Sequence, residues 1–154
     1  DVPFRDSDEE IEAAAAMTVP EIFARDGEAF FRAREREVLA RLLAGAPAIL
    51  STGGGAFLSP ETRALIGARG VAVWLDAPTE LLWERVRHKQ SRPLLRTPDP
   101  RATLERLHAE RRPAYAEAAI RVPAEAGLSV AGMAGRVRAA LAAAGGILDE
   151  GADR

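Results

Sequence analysis

The sequence predicts an α/β layered domain with a mainly parallel sheet. Short apolar runs alternate with longer helix-periodic segments along the chain, the order that builds parallel sheets through helical crossovers. The apolar run 48–50 reads as a buried strand, and the continuous apolar run 71–75 as a strand covered on both faces. Helix-start signals close the strands, at Asp6-Ser7-Asp8, at Ser59-Pro60-Glu61 beyond a glycine turn, and at Pro78-Thr79.

Taken in order, Val2-Pro3-Phe4-Arg5 is short and extended, so the chain starts in mid-strand. Ser7 or Asp8 can cap the helix that follows, and Glu9, Glu10 and Glu12 fall where carboxylates favour the helix dipole. Thr18 caps a second helix opening at Val19-Pro20-Glu21, and Gly27 marks a break or tight junction. Phe30, Phe31, Val38, Leu39, Leu42 and Leu43 then recur at helical spacing, until Gly45 and Pro47 end the segment. After the strand at 48–50 come Gly53-Gly54-Gly55 and a helix over 60–68. Residues 71–75 form the next strand, and Pro78-Thr79 opens a helix carrying Leu81, Leu82, Trp83 and Val86. Residues 89–101 read as a basic, proline-bearing loop. A helix over 102–112, a strand at 119–122 and a helix over 130–144 complete one domain, 1–144, with 145–154 as a flexible tail.

Composition narrows the function. The chain has 154 residues, 47% hydrophobic and 29% charged, which suits one globular core. A net charge of −2 gives no reason to expect nucleic acid or a membrane surface as partner. With no cysteine there are no disulfides or thiolate metal sites, which suits a cytoplasmic protein. No run approaches the roughly 20 apolar residues of a membrane span.

Gly53-Gly54-Gly55 carries the most chemistry. It joins a strand to a helix start, where bare backbone lets a ligand reach main-chain N–H groups and where a Cβ would block that approach or forbid a positive φ. An ordinary loop is the bland alternative. Asp6 and Asp8 close the preceding strand at the sheet edge where α/β proteins bind ligands. They can cap and solubilise, or hold a hydrated metal and a substrate hydroxyl. Arg32 follows two phenylalanines and projects at the edge of the buried face, where a guanidinium can fork onto a carboxylate. Arg111 and Arg112 close a helix, where they favour the dipole. Arg92 lies in the basic loop, which is surface or a lid over a polyanion. His88 and His108 are isolated and carry no assigned role.

Asp6-Ser7-Asp8, Pro20-Glu21-Ile22-Phe23, Gly27-Glu28, Phe31-Arg32 with Glu35, Thr52-Gly53-Gly54-Gly55-Ala56, Arg92-Pro93-Leu94-Leu95 and Arg111-x-Pro113-x-Tyr115 occur in one order. Together, from Val2 to Val122, they resemble shikimate kinase. The resemblance implies a P-loop-kinase-like three-layer α/β domain that transfers the γ-phosphoryl of ATP, with Mg²⁺, to the 3-hydroxyl of shikimate. It implies a cytoplasmic monomer with shikimate and ATP as its small-molecule partners. By position Asp8 matches the aspartate that binds the ring hydroxyls and takes the proton, and Asp6 the carboxylate associated with Mg²⁺. Arg32 and Arg111 match the pair on the shikimate carboxylate, with Glu35 orienting the arginine. Gly53, Gly54 and Gly55 match the substrate-binding turn, Arg92 the lid arginine at the transferring phosphoryl, and Arg85 an arginine near the adenine.

One departure matters. The family needs G-x-x-x-x-G-K-[ST] after its first strand, since backbone amides and a lysine must cradle the phosphates, and the 154 residues contain no such run. The domain is therefore expected to stand without its first, central strand and P-loop, to bind ATP poorly and to fold badly alone. Ala16, where relatives often carry glycine, is expected to matter little. The alternatives are an inactive shikimate-binding remnant and a related small-molecule kinase such as a gluconate kinase.

Overall fold

A computed structural model describes residues 2–88 and 95–145. The chain divides into two compact units, Asp1–Gly70 and Val71–Arg154.

In the first unit, β1 (Phe4–Asp6) pairs in parallel with β2 (Ile49–Ser51), with Phe4 opposite Ile49 and Asp6 opposite Ser51. Helices α1 (Ser7–Ala15) and α2 (Val19–Leu43) form the crossover between them, and α3 (Pro60–Arg69) follows β2. The core lies between α1 and α2, where Ile11, Ile22, Phe31 and Val38 are buried together and Phe23 meets Phe31 with ring centroids 4.6 Å apart. Helix α2 starts at a capping box. The Glu21 amide donates to Thr18 Oγ1 at 3.4 Å, and the Thr18 amide donates to Glu21 Oε2 at 2.8 Å. Gly27 interrupts the helix with φ 82° and ψ 174°, a region that only glycine enters without strain. The break expected at Gly27 is thus present, with two helical segments meeting at a kink there.

The cap of α1 differs from expectation. Asp6, not Ser7 or Asp8, is the N-cap, its carboxylate accepting from the Asp8 amide at 2.9 Å. Ser7 turns inward, fully buried, with its hydroxyl lacking a hydrogen-bond partner among the described residues. Ala16 ends the helix at φ 50°, the one positive φ outside glycine among the described residues.

In the second unit, β3 (Val73–Asp76) pairs in parallel with β4 (Ile120–Pro123), with Trp74 opposite Arg121 and Asp76 opposite Pro123. Helix α4 (Thr79–Val86) follows β3, α5 (Pro100–Tyr115) precedes β4, and α6 (Val130–Ala143) ends the described chain. Ala77, Leu81 and Ala124 form the core, with Leu82 and Met133 against it. The expectation that 71–75 is buried on both faces fails here, since Leu75 is 55% exposed, and the expected burial of 48–50 fails likewise at Ile49, 59% exposed. A two-stranded sheet covers less of its strands than the wide sheet that such an apolar run suits. Among the described residues no helix is long and apolar enough to cross a membrane.

Candidate functional site

The first unit brings Asp8, Arg32, Glu35, Gly53 and Gly55 to one place. Asp8 stands in the first turn of α1, just past the end of β1, because Asp6 stops the strand and starts the helix in a single residue. Arg32 and Glu35 lie one turn apart on α2, so they share a face. Arg32 Nη1 donates to Glu35 Oε2 at 2.7 Å, and its guanidinium carbon sits 5.2 Å from the Phe31 ring centroid. Arg32 Nε also lies 3.5 Å from Glu28 Oε1. Arg32 is therefore held on three sides.

The glycine turn closes on these groups. The Ala56 amide donates to the Gly53 carbonyl at 3.1 Å, and a single 3-10 turn over Ala56–Leu58 leads into Ser59, the N-cap of α3. None of the three glycines has a positive φ. Their bareness serves close approach instead. A Cβ on Gly55 would fall 2.6 Å from the Arg32 guanidinium carbon and 2.7 Å from its Nη1, an overlap. A Cβ on Gly53 would lie 3.4 Å from Asp8 Oδ1 and 3.6 Å from Glu35 Oε1. Gly55 thus makes room for Arg32, and Gly53 presents bare backbone to two carboxylates. Gly54, between them, is exposed.

Both carboxylates are unusually hard to ionise. Burial raises the Asp8 carboxyl above its ordinary value, with repulsion from Asp6 and Glu12 adding to it and Arg32 working against it. Burial also raises Glu35, whose side chain is 2% exposed; Arg32 opposes this and Asp8 reinforces it. Glu35 Oε1 is buried without a hydrogen-bond partner among the described residues and lies on the Gly53 side. The arrangement offers one guanidinium for an acid, one partly exposed carboxylate for hydroxyls, and exposed main chain at Gly54.

The remaining expected residues lie elsewhere. Arg111 is half-buried on α5, in the second unit. Arg85 is exposed near the end of α4. Arg92 and most of its Arg-Pro-Leu-Leu run fall outside the described residues, as does the tail from 146 onward. Asp6 is a single, partly exposed carboxylate, and no group of three metal-binding side chains occurs among the described residues. One hard oxygen donor beside solvent fits a largely hydrated Mg²⁺ rather than a protein cage. Asp76, which with Pro78-Thr79 reads in the sequence only as the start of a helix, is instead a 5% exposed carboxylate at the end of β3. A lone aspartate closing an apolar run was its only sequence signal.

Solved structures with this architecture identify the class. Shikimate kinase from Acinetobacter baumannii, in complex with shikimate, superposes with a TM-score of 0.80 at 33% identity, over 93% of this chain and 79% of that one. Shikimate kinase from Aquifex aeolicus gives 0.80 at 34% identity, over 93% and 83%. The fold is that of the small α/β P-loop kinases. The sequence is more particular. A family model for shikimate kinase matches residues 1–142. The shikimate kinase of Ruegeria pomeroyi is 58% identical over 148 residues, 96% of this chain and 76% of that protein. That of Cereibacter sphaeroides is 57% identical over 148 residues, 96% and 74%. The chain belongs to the shikimate kinase family.

Proposed function

We propose that the protein phosphorylates the 3-hydroxyl of shikimate with ATP. The observation that carries this is the convergence of Asp8 and Arg32 on the Gly53–Gly55 turn, one carboxylate for ring hydroxyls and one anchored guanidinium for the ring acid. A relative of the same fold binds shikimate. Gluconate offers a carboxylate and hydroxyls too, but on an open chain that a rigid guanidinium-and-glycine seat suits less well.

In this reading residues 1–144 belong to one catalytic domain of a cytoplasmic monomer. Asp8 orients the attacking hydroxyl and takes its proton, for which a raised pKa is an advantage near neutral pH. Arg32 and Arg111 grip the acid, Gly53, Gly54 and Gly55 provide the backbone seat, and Glu35 keeps Arg32 aimed. Arg85 lies by the adenine. Arg92, in a lid over 89–101, neutralises charge on the transferring group. Asp6 would hold Mg²⁺ through water, and that ion would offset the charge on the phosphates. Alignment and charge neutralisation are most of what phosphoryl transfer asks of a protein.

The 154 residues hold no G-x-x-x-x-G-K-[ST] run to cradle a triphosphate. Alone they are therefore expected to bind ATP weakly and turn over nothing. The test is an assay of the protein as its gene encodes it, with ATP, against shikimate and gluconate in parallel. Shikimate 3-phosphate as the product supports the reading. Phosphorylation of gluconate alone, or of neither acid, overturns it.

A further inference from the structure

Helix α5 carries Arg111, yet no side chain of α5 is buried. Apolar packing, through the half-buried Leu104 and Leu107, is shared with a few polar and aromatic tethers in setting its rotation. His108 Nδ1 lies 2.9 Å from Thr79 Oγ1 on α4. Arg112 Nη1 and Nη2 donate to Asp76 Oδ1 and Oδ2 at 3.1 and 3.4 Å, a two-pronged contact. Tyr115 lies against Trp74 with the rings tilted by 44° and centroids 6.3 Å apart. His108, Arg112 and Tyr115 are spaced four and three residues apart, so they form one stripe.

Arg112 and Tyr115 of that stripe meet one face of β3, while His108 meets α4. Trp74 and Asp76 are two residues apart on the strand and share a face. Arg121, opposite Trp74 on β4, donates through Nε to Asp76 Oδ2 at 2.6 Å. The Arg112 and Arg121 guanidinium carbons lie 5.1 and 5.4 Å from the Trp74 ring centroid. Asp76, 5% exposed, thus sits under two guanidinium groups that also rest on the neighbouring indole. Two ion pairs restrict the buried Asp76 carboxylate, and the two-pronged contact restricts the Arg112 guanidinium in turn.

We propose that Asp76 is a positioning residue for Arg111. It fixes Arg112, and Arg111 is the preceding residue, about 100° around the helix. Locking Arg112 onto β3 therefore sets the direction in which Arg111 leaves α5. The inference rests on the reading that Arg111 binds the substrate carboxylate.

The test uses Asp76→Asn, Asp76→Glu and Arg112→Met in the protein as its gene encodes it, titrated separately with shikimate and with ATP. Asp76→Asn and Arg112→Met are expected to weaken shikimate binding roughly tenfold each while ATP affinity stays within about twofold. The double variant should be no weaker than either single one, and Asp76→Glu should recover part of the loss. Hydrogen exchange of the amides in 108–115 should quicken in both single variants. Arg112→Met leaves the Asp76–Arg121 pair intact, so it carries the test if Asp76→Asn does not fold. Unchanged shikimate affinity in a folded variant, or equal loss for both ligands, overturns the proposal. Wild-type protein that binds no shikimate overturns the substrate reading instead. The exchange measurement then decides the tether alone, and unchanged exchange rejects it.

Discussion

Gly55 has no side chain because Arg32 occupies the space where one would be. Gly55→Ala must push the guanidinium off Glu35 or shift the turn. Shikimate affinity is expected to fall about tenfold, near 1.4 kcal/mol, much as in Arg32→Ala. The double variant should lose little more, and calorimetric titration of all three checks this. The two raised carboxyls give a second residue-scale expectation. Burial first, with repulsion from Asp6 and Glu12 at Asp8 and from Asp8 at Glu35, makes the folded state hold protons at both groups more tightly than the unfolded chain does. Above their ordinary values of 3.8 and 4.5 the folded state therefore binds more protons, so their contribution to stability falls as pH rises. Asp8→Asn removes one of them. Its stability relative to wild type should grow between about pH 4 and about pH 7, where an ordinary exposed aspartate would show no such trend. Thermal melts of both proteins across that range test the sign.

At the scale of elements, the ends of α1 and the start of α2 show local chemistry at odds and in agreement. Ala16 closes α1 in the left-handed region, where a Cβ costs about 1 kcal/mol that glycine does not incur. Ala16→Gly is expected to raise stability by up to that amount, read as a higher melting temperature with an unchanged site. The position was expected to matter little, because the φ it must adopt cannot be seen in the residue's identity. Thr18 and Glu21 satisfy each other's backbone amides, and both lie where the capping pattern in the sequence put them. Thr18→Ala is expected to cost about 1 kcal/mol in denaturant unfolding. Helix α5 also runs three residues past its expected end, through Pro113 to Tyr115. That extension keeps Arg111, Arg112 and Tyr115 in one helical register.

At the scale of the whole molecule, each sheet has two strands, so each strand has an edge without a hydrogen-bonded neighbour among the described residues. Phe4, Ile49 and Leu75 are 65%, 59% and 55% exposed on these strands. Open apolar edges invite pairing with other chains. The 154-residue polypeptide is expected to bind a hydrophobic dye and to self-associate at micromolar concentration. A monodisperse, dye-silent protein in analytical ultracentrifugation would contradict this. The sequence alone determined the alternation of strand and helix, the helix starts at Thr18 and Ser59, the kink at Gly27, and the family, because each is written in short-range patterns of residue type. It also placed Asp8, Arg32 and Gly53–Gly55 as candidates. Only the tertiary structure decided that Asp6 rather than Ser7 caps α1, that Gly55 is bare for the sake of Arg32, and that Asp76 gathers Arg112 and Arg121. The cap is local, but three adjacent capping residues leave the choice to whichever side chain the core buries, here Ser7; the other two facts depend on which side chains meet after distant segments pack. A buried contact such as Arg112 with Asp76, 36 residues apart, leaves no local pattern to read.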